Sequence, residues 1–580
     1  MPEVTPACSW CLPEPDSNDV SRLAQELNLP ELAVRLMHSR GFSTVDAIRG
    51  FLAPSPALLA QPADLPDIKP ATDRIVVAIE NGERICVYGD YDVDGVTGTS
   101  LLVSALRRLG ADVIYYLPHR EAEGYGLSLP GVRYCKEQGA GLLVTNDCGS
   151  SDPESVTAAN AAGIDVIITD HHEVPAERPQ ALALVNPKRP DSTYPFSELA
   201  GVGVAFKLAW SVLSALGRPR EELTDLLDLV GVGTIADMVP LVGENRILAR
   251  LGLAAARNTV RPGLRALMRR SGIGERALTS YDVGFLLGPR LNAAGRISHA
   301  GIAAELLLCS EPDRAEQLAE ALDSHNRERQ TLGEKTLVQA AARVEAERLH
   351  DRKVVVVAGE GWHKGVIGIV ASKLVERYYR PCIVIALDGE EGKGSGRSIN
   401  GFDLYASLQA SAEHLSGFGG HKYAAGIKVR REQIPLFAES INRHAEQLPE
   451  EVYEQSLEVD AVCRLEEIDD DMVRFLSQLE PFGPENRRPV FATLGLEVVG
   501  YPRRFGKKHL KLNVRSDDAV LEAIAWGRSE ELPNIEVGTK NHLDICYSVD
   551  QHTYAGRTST RLSLRDLRAT PVSGESGTST

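Results

Sequence analysis

Between residues 83 and 170 the chain alternates short apolar runs with stretches of helical period. ERICVYG (83–89), ADVIYYLP (111–118), GLLVTND (141–147) and IDVIITD (164–170) read as strands. Between them, VTGTSLLVSALRRLG (96–110), VRYCKEQGA (132–140) and ESVTAANAAG (154–163) read as helices. In the first helix Leu101, Leu102, Ala105, Leu106 and Leu109 share a face, and Gly110 ends it. The strands are mostly continuous apolar runs, so both of their faces are expected to be buried. This alternation predicts an α/β fold with a parallel sheet covered on both sides. In such sheets ligands bind beyond the carboxyl ends of the strands.

The pattern then changes twice. Residues 312–350 are rich in Ala, Glu, Arg and Leu, with no Pro after Pro312, and predict one long connecting helix, with Gly333 the point at which a break could fall. From residue 352, RKVVVVAGEGWHKGVIGIVASKLVERYYRPCIVIAL reads strand, Gly-rich turn, helix, strand: a second, smaller α/β domain. VFATLGLEVVGYPRRFGKKHLKLNVRSDDAVLEAIAWG (490–527) alternates in period two and predicts a small all-β barrel. The expected organisation is a leader and helical segment over 1–75, a first α/β domain over 76–310 and the connecting helix over 311–350. The second α/β domain follows over 351–450, the barrel over 451–570 and a disordered tail over 571–580.

Composition narrows the class. Hydrophobic residues make up 43% and charged residues 25%, ordinary for a soluble globular protein. No apolar run reaches the roughly 20 residues of a membrane span, and no secretory signal is visible at the N-terminus. The nine cysteines are irregularly spaced, which points to reduced thiols and a cytoplasmic location. Cys8 and Cys11 form a CxxC with no second pair to complete a zinc site. The net charge of −17 argues against non-specific nucleic-acid binding, but a total says nothing about individual faces.

The strand ends hold the chemistry. The first ends in GDYDVDG, with Asp90, Asp92 and Asp94, which would point the same way on an extended backbone. The third ends in Asp147 and the fourth in Asp170, His171 and His172. LVGVGTIADMVPL (229–241) places Asp237 after another apolar, Gly-rich stretch. Taken singly, these are a turn, a structural His pair and a helix cap. Together they put like charges on one sheet edge, where they repel unless a cation sits among them. Carboxylates with imidazole and no thiolate favour Mn²⁺ or Mg²⁺, and imidazole tilts the choice to Mn²⁺. The carboxylates suffice for two ions about 3.5–4 Å apart, a spacing suited to in-line displacement at phosphorus.

EGKGSGRSINGFDL (391–404) has Gly392, Gly394 and Gly396, which would let the backbone approach a ligand, with Ser395 and Arg397 suited to a phosphate. A flexible hairpin tip is the plainer reading. RRFGKKHLKLNVR (503–515) is the densest basic stretch: Arg503, Arg504, Lys507, Lys508, Lys511 and Arg515, with Phe505 and His509 among them. A basic strand pair with an aromatic ring suits single-stranded nucleic acid, and a solvated hairpin is the alternative.

GDYDVDG, NDCG, TDHH and GTIADMVPL resemble the four motifs of the DHH phosphoesterase superfamily. The resemblance implies that Asp90, Asp92, Asp94, Asp147, His171 and Asp237 ligate metal, that Asp170 orients His171, and that His172 lies beside the scissile phosphate. A water activated by the ions would be the nucleophile. LSGFGGHKYAAGI (415–427) resembles the GGH motif of the DHHA1 domain, in which His421 would face the metal cleft. YLPHREAEGYGLS (116–128) and LGPRLNAAGRIS (287–298) resemble motifs near the substrate, implying phosphate contacts from Arg120, Arg290, Asn292 and Arg296. The arginines read equally well as structural ion pairs. PFGPENRRPVF (481–491) looks like the family's entry into an OB-fold.

From about residue 40 to 570 the chain is similar to the superfamily's branch of single-strand-specific 5′-to-3′ DNA exonucleases. This implies processive, two-metal release of 5′ mononucleotides, with the strand threaded between the DHH and DHHA1 lobes and duplex excluded by a narrow entrance. Arg120, Ser395 and Arg397 would form the pocket for the 5′-terminal phosphate. It further implies a monomer acting in mismatch repair and recombination, with single-strand-binding protein and a RecQ-type helicase as partners. Two other readings stay open. A phosphodiesterase acting on cyclic dinucleotides or very short oligonucleotides would not need the barrel. A non-catalytic scaffold would have no reason to keep clustered carboxylates, which cost stability.

Overall fold

The computed structural model describes residues 8–13, 19–506, 508–528, 542–554 and 557–569. They divide into two compact units: one of residues 53–334 and 480–487, the other of 1–52, 335–479 and 488–580.

The first unit contains a five-stranded, all-parallel sheet in the order Val113–Tyr116, Ile85–Gly89, Leu142–Asn146, Asp165–Thr169, Ala183–Val185. The fifth strand, from a short apolar run in the ALALV stretch, goes beyond the four read from the sequence. The strand order reverses between Ile85–Gly89 and Leu142–Asn146, which is where such sheets open a crevice at their carboxyl edge. One face packs on helices Val93–Arg108 and Gly201–Ala215 through Val87, Val144, Ile167, Leu101, Val204 and Leu208. The other buries Cys86, Tyr88, Leu143, Val166 and Ile168. Burial on both faces explains why the strands show no alternation.

Helix Val93–Arg108 begins three residues before the sequence-based start, inside DYDVDG. Asp92 is its N-cap, accepting from the backbone N–H groups of Asp94 (2.9 Å) and Gly95 (3.1 Å). Asp94 therefore sits in a first helical turn, and the period-two reading of the three aspartates does not hold. Gly95 is required there by space: a Cβ would lie 2.4 Å from the Asp90 carbonyl oxygen.

In the second unit a mixed sheet runs in the order Gly417–Gly420, Ala424–Arg430, Glu391–Arg397, Cys382–Asp388, Val355–Glu360. EGKGSGR is its central strand, neither a hairpin tip nor a loop open to a ligand. Gly392, Gly394 and Gly396 face the core, where a Cβ would meet Ile385, Ile427 and Leu404 side chains at 2.8, 2.6 and 2.8 Å. Their smallness lets the core close over the strand. Ser395 and Arg397 point to the opposite face by the same alternation.

Helix Pro312–Ala346 runs unbroken through Gly333 for 35 residues, the one long helix read from the sequence. The C-terminal strands order as Ala461–Val462, Phe491–Phe505, His509–Ser516, Ala519–Ala525, Arg557–Ala569, His542–Tyr554, and the pairing of Phe491–Phe505 with His542–Tyr554 closes a barrel.

The leader is tied into this same unit. Ser9–Cys11 is a strand pairing in parallel with Ser456–Glu458. Trp10 Nε1 donates to Asp566 at 2.7 Å, and the Arg568 guanidinium lies 3.9 Å over its ring. Arg40 meets Asp460 at 3.0 Å, and Arg35 donates to the Val462 carbonyl at 2.8 Å. Within PFGPENRRPVF (481–491), Phe491 opens the barrel strand Phe491–Phe505, and residues 481–487 group with the first unit. There the Phe482 N–H donates to Ser280 Oγ (3.1 Å), and the Leu241 N–H to the Pro484 carbonyl (2.9 Å).

Candidate metal centre and nucleic-acid surfaces

The acids and imidazoles meet at the crevice of the parallel sheet. Asp90 follows the first strand and is 3% exposed; Asp94 is fully buried. Asp94 is oriented by the N-terminus of helix Gly201–Ala215, accepting from the N–H groups of Gly201 (2.6 Å) and Val202 (2.8 Å). Asp147 holds a left-handed backbone, φ 65°, at the end of its strand, a conformation a non-glycine residue adopts only at some cost in strain. Asp237 does not come from the sheet. It caps the C-terminus of helix Leu227–Ala236, its N–H donating to Gly233 at 2.9 Å. The stretch LVGVG is small-residued because that helix crosses helix Gly243–Arg257 closely: a Cβ on Gly231 would lie 2.7 Å from Gly252 Cα.

His171 Nε2 lies 3.0 Å from Asp147 Oδ1, 3.6 Å from Asp237 Oδ2 and 3.8 Å from Asp94 Oδ2. Asp170 orients His172, where His171 had been expected. Its Oδ1 is 2.8 Å from His172 Nδ1 and accepts from both histidine N–H groups, while Oδ2 accepts from Ser150 N–H at 3.0 Å. Burial works to raise the Asp170 pKa, but the His172 hydrogen bond and charge outweigh it and hold the carboxylate ionised. Burial, with the charge of His172, lowers His171 to about 3, leaving a neutral imidazole.

The other carboxylates are under the opposite stress. Burial first, and neighbouring carboxylates second, push Asp90, Asp94 and Asp147 well above the usual range. The same causes bring Asp237 to about 7. Asp90 Oδ1, Asp147 Oδ1, Asp237 Oδ2 and both nitrogens of His171 are buried without a hydrogen-bond partner. Orphaned acceptors that repel one another are what a cation site looks like before its cation is counted. Two disjoint triads, Asp90–Asp92–Asp147 and Asp94–His171–Asp237, each bring their ligand atoms within 4.8 Å of one another. A third, Asp147–His171–His172, overlaps both. Oxygen ligands with imidazole and no thiolate fit two Mn²⁺ or Mg²⁺ ions.

Tyr125 was missed in the sequence. Its hydroxyl lies 2.9 Å from His172 Nδ1 and 3.2 Å from the Asp147 carbonyl. Gly124 and Gly126, both left-handed at φ 88° and 92°, turn the loop that places it there. The paired glycines of EGYG were the available signal. Arg120 lies 4.8 Å over the ring of Tyr91, between the first two aspartates. Arg296 also acts electrostatically on Tyr91. Asn292 is half-buried on the same helix, Gly288–Ile297. Arg290 instead makes a structural ion pair with Asp323 at 3.0 Å and donates to the Leu286 carbonyl.

In the second unit Arg397 donates to Ser395 Oγ at 3.2 Å. Both stand over the start of helix Ile367–Tyr378: a Cβ on Gly368 would lie 3.0 Å from Ser395 Oγ and 3.1 Å from the Arg397 guanidinium. His421 is exposed at the turn between Gly417–Gly420 and Ala424–Arg430.

The barrel hairpin pairs Arg503 with Lys511 and Phe505 with His509. Arg503, Arg504 and Lys508 are exposed. Lys511 and Arg515 are already bound to Glu522 and Glu497 on neighbouring strands. Lys507 lies outside the described residues. Trp526, also missed, completes a ring cluster, 5.7 Å from Phe505 and 4.9 Å from His509, with 46% of its surface exposed.

Residues 84–234 match the DHH family, N-terminal domain; residues 351–447 match the DHHA1 domain. Fold and site together define a metal-dependent phosphoesterase of the DHH type. Residues 459–566 match the RecJ OB domain. The single-stranded-DNA-specific exonuclease RecJ of Bacillus subtilis (strain 168) is 41% identical over 564 residues, covering 96% of this chain and 70% of the relative. That of Thermus thermophilus is 35% identical, covering 88% and 72%. The crystal structure of RecJ from Thermus thermophilus in complex with Mn²⁺ superposes with a TM-score of 0.82 at 29% identity, covering 97% of this chain and 79% of that one. A Mg²⁺ complex of the same protein matches at 0.76. The chain belongs to the RecJ family.

Proposed function

We propose that this chain is a metal-dependent exonuclease specific for single-stranded DNA, hydrolysing phosphodiester bonds from the 5′ end. The observation that carries the reading is the pair of disjoint triads of buried ligand atoms, several of them orphaned, at the sheet's switch point. Asp90, Asp92 and Asp147 hold one ion; Asp94, His171 and Asp237 hold the other. When bound, Mn²⁺ or Mg²⁺ lowers the pKa of water and neutralises charge developing on the phosphate.

The remaining steps belong to the chain. His172, fixed by Asp170 and Tyr125, donates a hydrogen bond to a nonbridging oxygen of the scissile phosphate. The neutral His171 keeps its lone pair for metal instead of a proton. Arg120 and Arg296, beside Tyr91, contact strand phosphates, and Arg290 braces their helix through Asp323. Asn292 lies on that same helix. Ser395 and Arg397, over a helix N-terminus, suit a terminal phosphate, and His421 contacts substrate from its exposed turn. On the barrel, Arg503, Arg504, Lys507, Lys508 and Lys511 neutralise backbone charge, while Phe505 and Trp526 stack bases. An enzyme of this specificity works in the cytoplasm in repair and recombination, beside single-strand-binding protein and a RecQ-type helicase.

The test uses one single-stranded DNA labelled at either end, with Mn²⁺. Immediate release of the 5′ label as mononucleotide, with gradual shortening of the 3′-labelled strand, is expected. Cleavage of dinucleotides but not of the long strand would move the enzyme to small-molecule substrates.

A further inference from the structure

Two histidines outside the metal centre share a surface with two of these arginines. His119 directly precedes Arg120 in the loop after strand Val113–Tyr116. His299 follows Arg296 where helix Gly288–Ile297 ends. Their ring centroids are 6.1 Å apart. The two loops meet around Tyr91: Arg120 lies over its ring, and a Cβ on Gly295 would come within 2.8 Å of its carbonyl oxygen.

The backbone fixes both imidazoles in the same tautomer. His119 Nδ1 accepts from the N–H groups of Glu121 (3.2 Å) and Ala122 (3.3 Å). His299 Nδ1 accepts from Gly301 N–H at 3.0 Å. A nitrogen that accepts carries no proton, so in each ring the proton is on Nε2. Each loop thus holds a ring with its Nε2–H donor on the side away from the backbone N–H groups that Nδ1 accepts from, and the same loops carry Arg120 and Arg296. A transition metal would need a third ligand, and among the described residues none joins the pair. Two N–H donors on adjoining loops that also carry Arg120 and Arg296 instead match an anion with several acceptor oxygens.

We propose that His119 and His299 together clamp one phosphodiester linkage of the bound strand, distinct from the scissile one. The proposal rests on the exonuclease reading for the identity of the strand. The two donors come from separate loops that meet at Tyr91, so the clamped linkage lies beside that ring.

Both rings also act as loop caps, so the test must separate capping from clamping. Asn keeps an acceptor near the place of Nδ1 and removes the Nε2 donor; Gln extends an amide N–H towards the place of Nε2. The full chain, H119N/H299N and H119Q/H299Q are each given Mn²⁺ and single-stranded DNA. One neutral methylphosphonate linkage is walked along that strand. In the unaltered chain, one non-scissile linkage should raise KM roughly tenfold when neutralised, the loss of a charge-assisted contact. In H119N/H299N the all-phosphate strand should already show that KM, with no further effect of neutralising the linkage and with kcat and Tm unchanged. H119Q/H299Q should recover part of the difference. If H119N/H299N stays sensitive at the same linkage, or loses Tm with KM unchanged, the histidines are caps only and the clamp is wrong. Binding of the same strands, by fluorescence anisotropy in Ca²⁺, scores the clamp apart from cleavage. A linkage effect lost in H119N/H299N, with no form cutting any strand, would keep the clamp and overturn the exonuclease reading.

Discussion

The carboxylates of the metal centre and the cations of the barrel hairpin are both clusters of like charge, built in opposite ways. Asp90, Asp94 and Asp147 are buried, mutually repelling and partly unpartnered. Arg503, Arg504 and Lys508 stand in solvent, while Lys511 and Arg515 have acidic neighbours. A buried cluster exists at the expense of stability and needs a counter-ion. An exposed one is screened, tolerates losses and acts by sum. The first should fail all at once and the second by degrees.

The largest effect is expected at the centre. Asp147→Ala or Asp94→Ala should abolish turnover while strand affinity, read by anisotropy, stays within about twofold; surviving turnover would break the ligand assignment. Next comes the pH dependence of the metal-free protein. Asp237 is raised to about 7 in the folded chain, against roughly 3.9 unfolded. Between those values the folded state keeps a proton that the unfolded state has released, so stability falls as pH rises. Asp90, Asp94 and Asp147 act in the same direction. Tm in EDTA should therefore drop from pH 5 to pH 8, Mn²⁺ should restore it at pH 8, and Asp237→Asn should raise the EDTA value and shrink the Mn²⁺ shift. A Tm that rises with pH in EDTA would show the cluster to be relaxed without metal.

Tyr125→Phe removes one hydrogen bond to His172 and should lower kcat roughly tenfold with KM little changed. A change in KM alone would place the hydroxyl on the substrate. The smallest effects belong to the hairpin. Replacing Arg503, Arg504 and Lys508 by Gln should weaken binding and flatten its salt dependence by roughly one unit of slope per lost contact. Lys511→Gln should do less, because Glu522 already holds it. An all-or-none loss from any one of these would erase the contrast with the centre.

The parallel sheet was legible because continuous apolar runs ending in charge suit little besides strands buried on both faces. The site residues were legible as types, but not as geometry. DYDVDG alternates, yet a cap at Asp92 winds Asp94 into a helix, and helical start outweighs alternation once an N-cap is in place. Asp237 follows a Gly-rich apolar stretch that suits a strand or a closely packed helix equally, and only the approach of Gly231 to Gly252 decides. EGKGSGR looked like a ligand loop because small residues also mark the inside of a crowded sheet. Asp170, Tyr125 and Trp526 depend on which side chain a turn aims at which neighbour, information that no local pattern holds.

The Ser9–Cys11 strand and the Arg40–Asp460 pair bear on how the molecule is made. Residues 53–334 are consecutive and can complete their core as they leave the ribosome. Arg40 finds Asp460 only 420 residues later, and Trp10 finds Asp566 only 556 residues later. Until then helix Glu31–Ser39, on which Leu32, Leu36 and Met37 are buried in the finished unit, lacks the strand Ala461–Val462 and the helix Asp470–Gln478 on which it packs. Truncation within the barrel should thus be felt at the opposite end of the chain, as protease sensitivity in residues 19–52 while the metal centre stays folded.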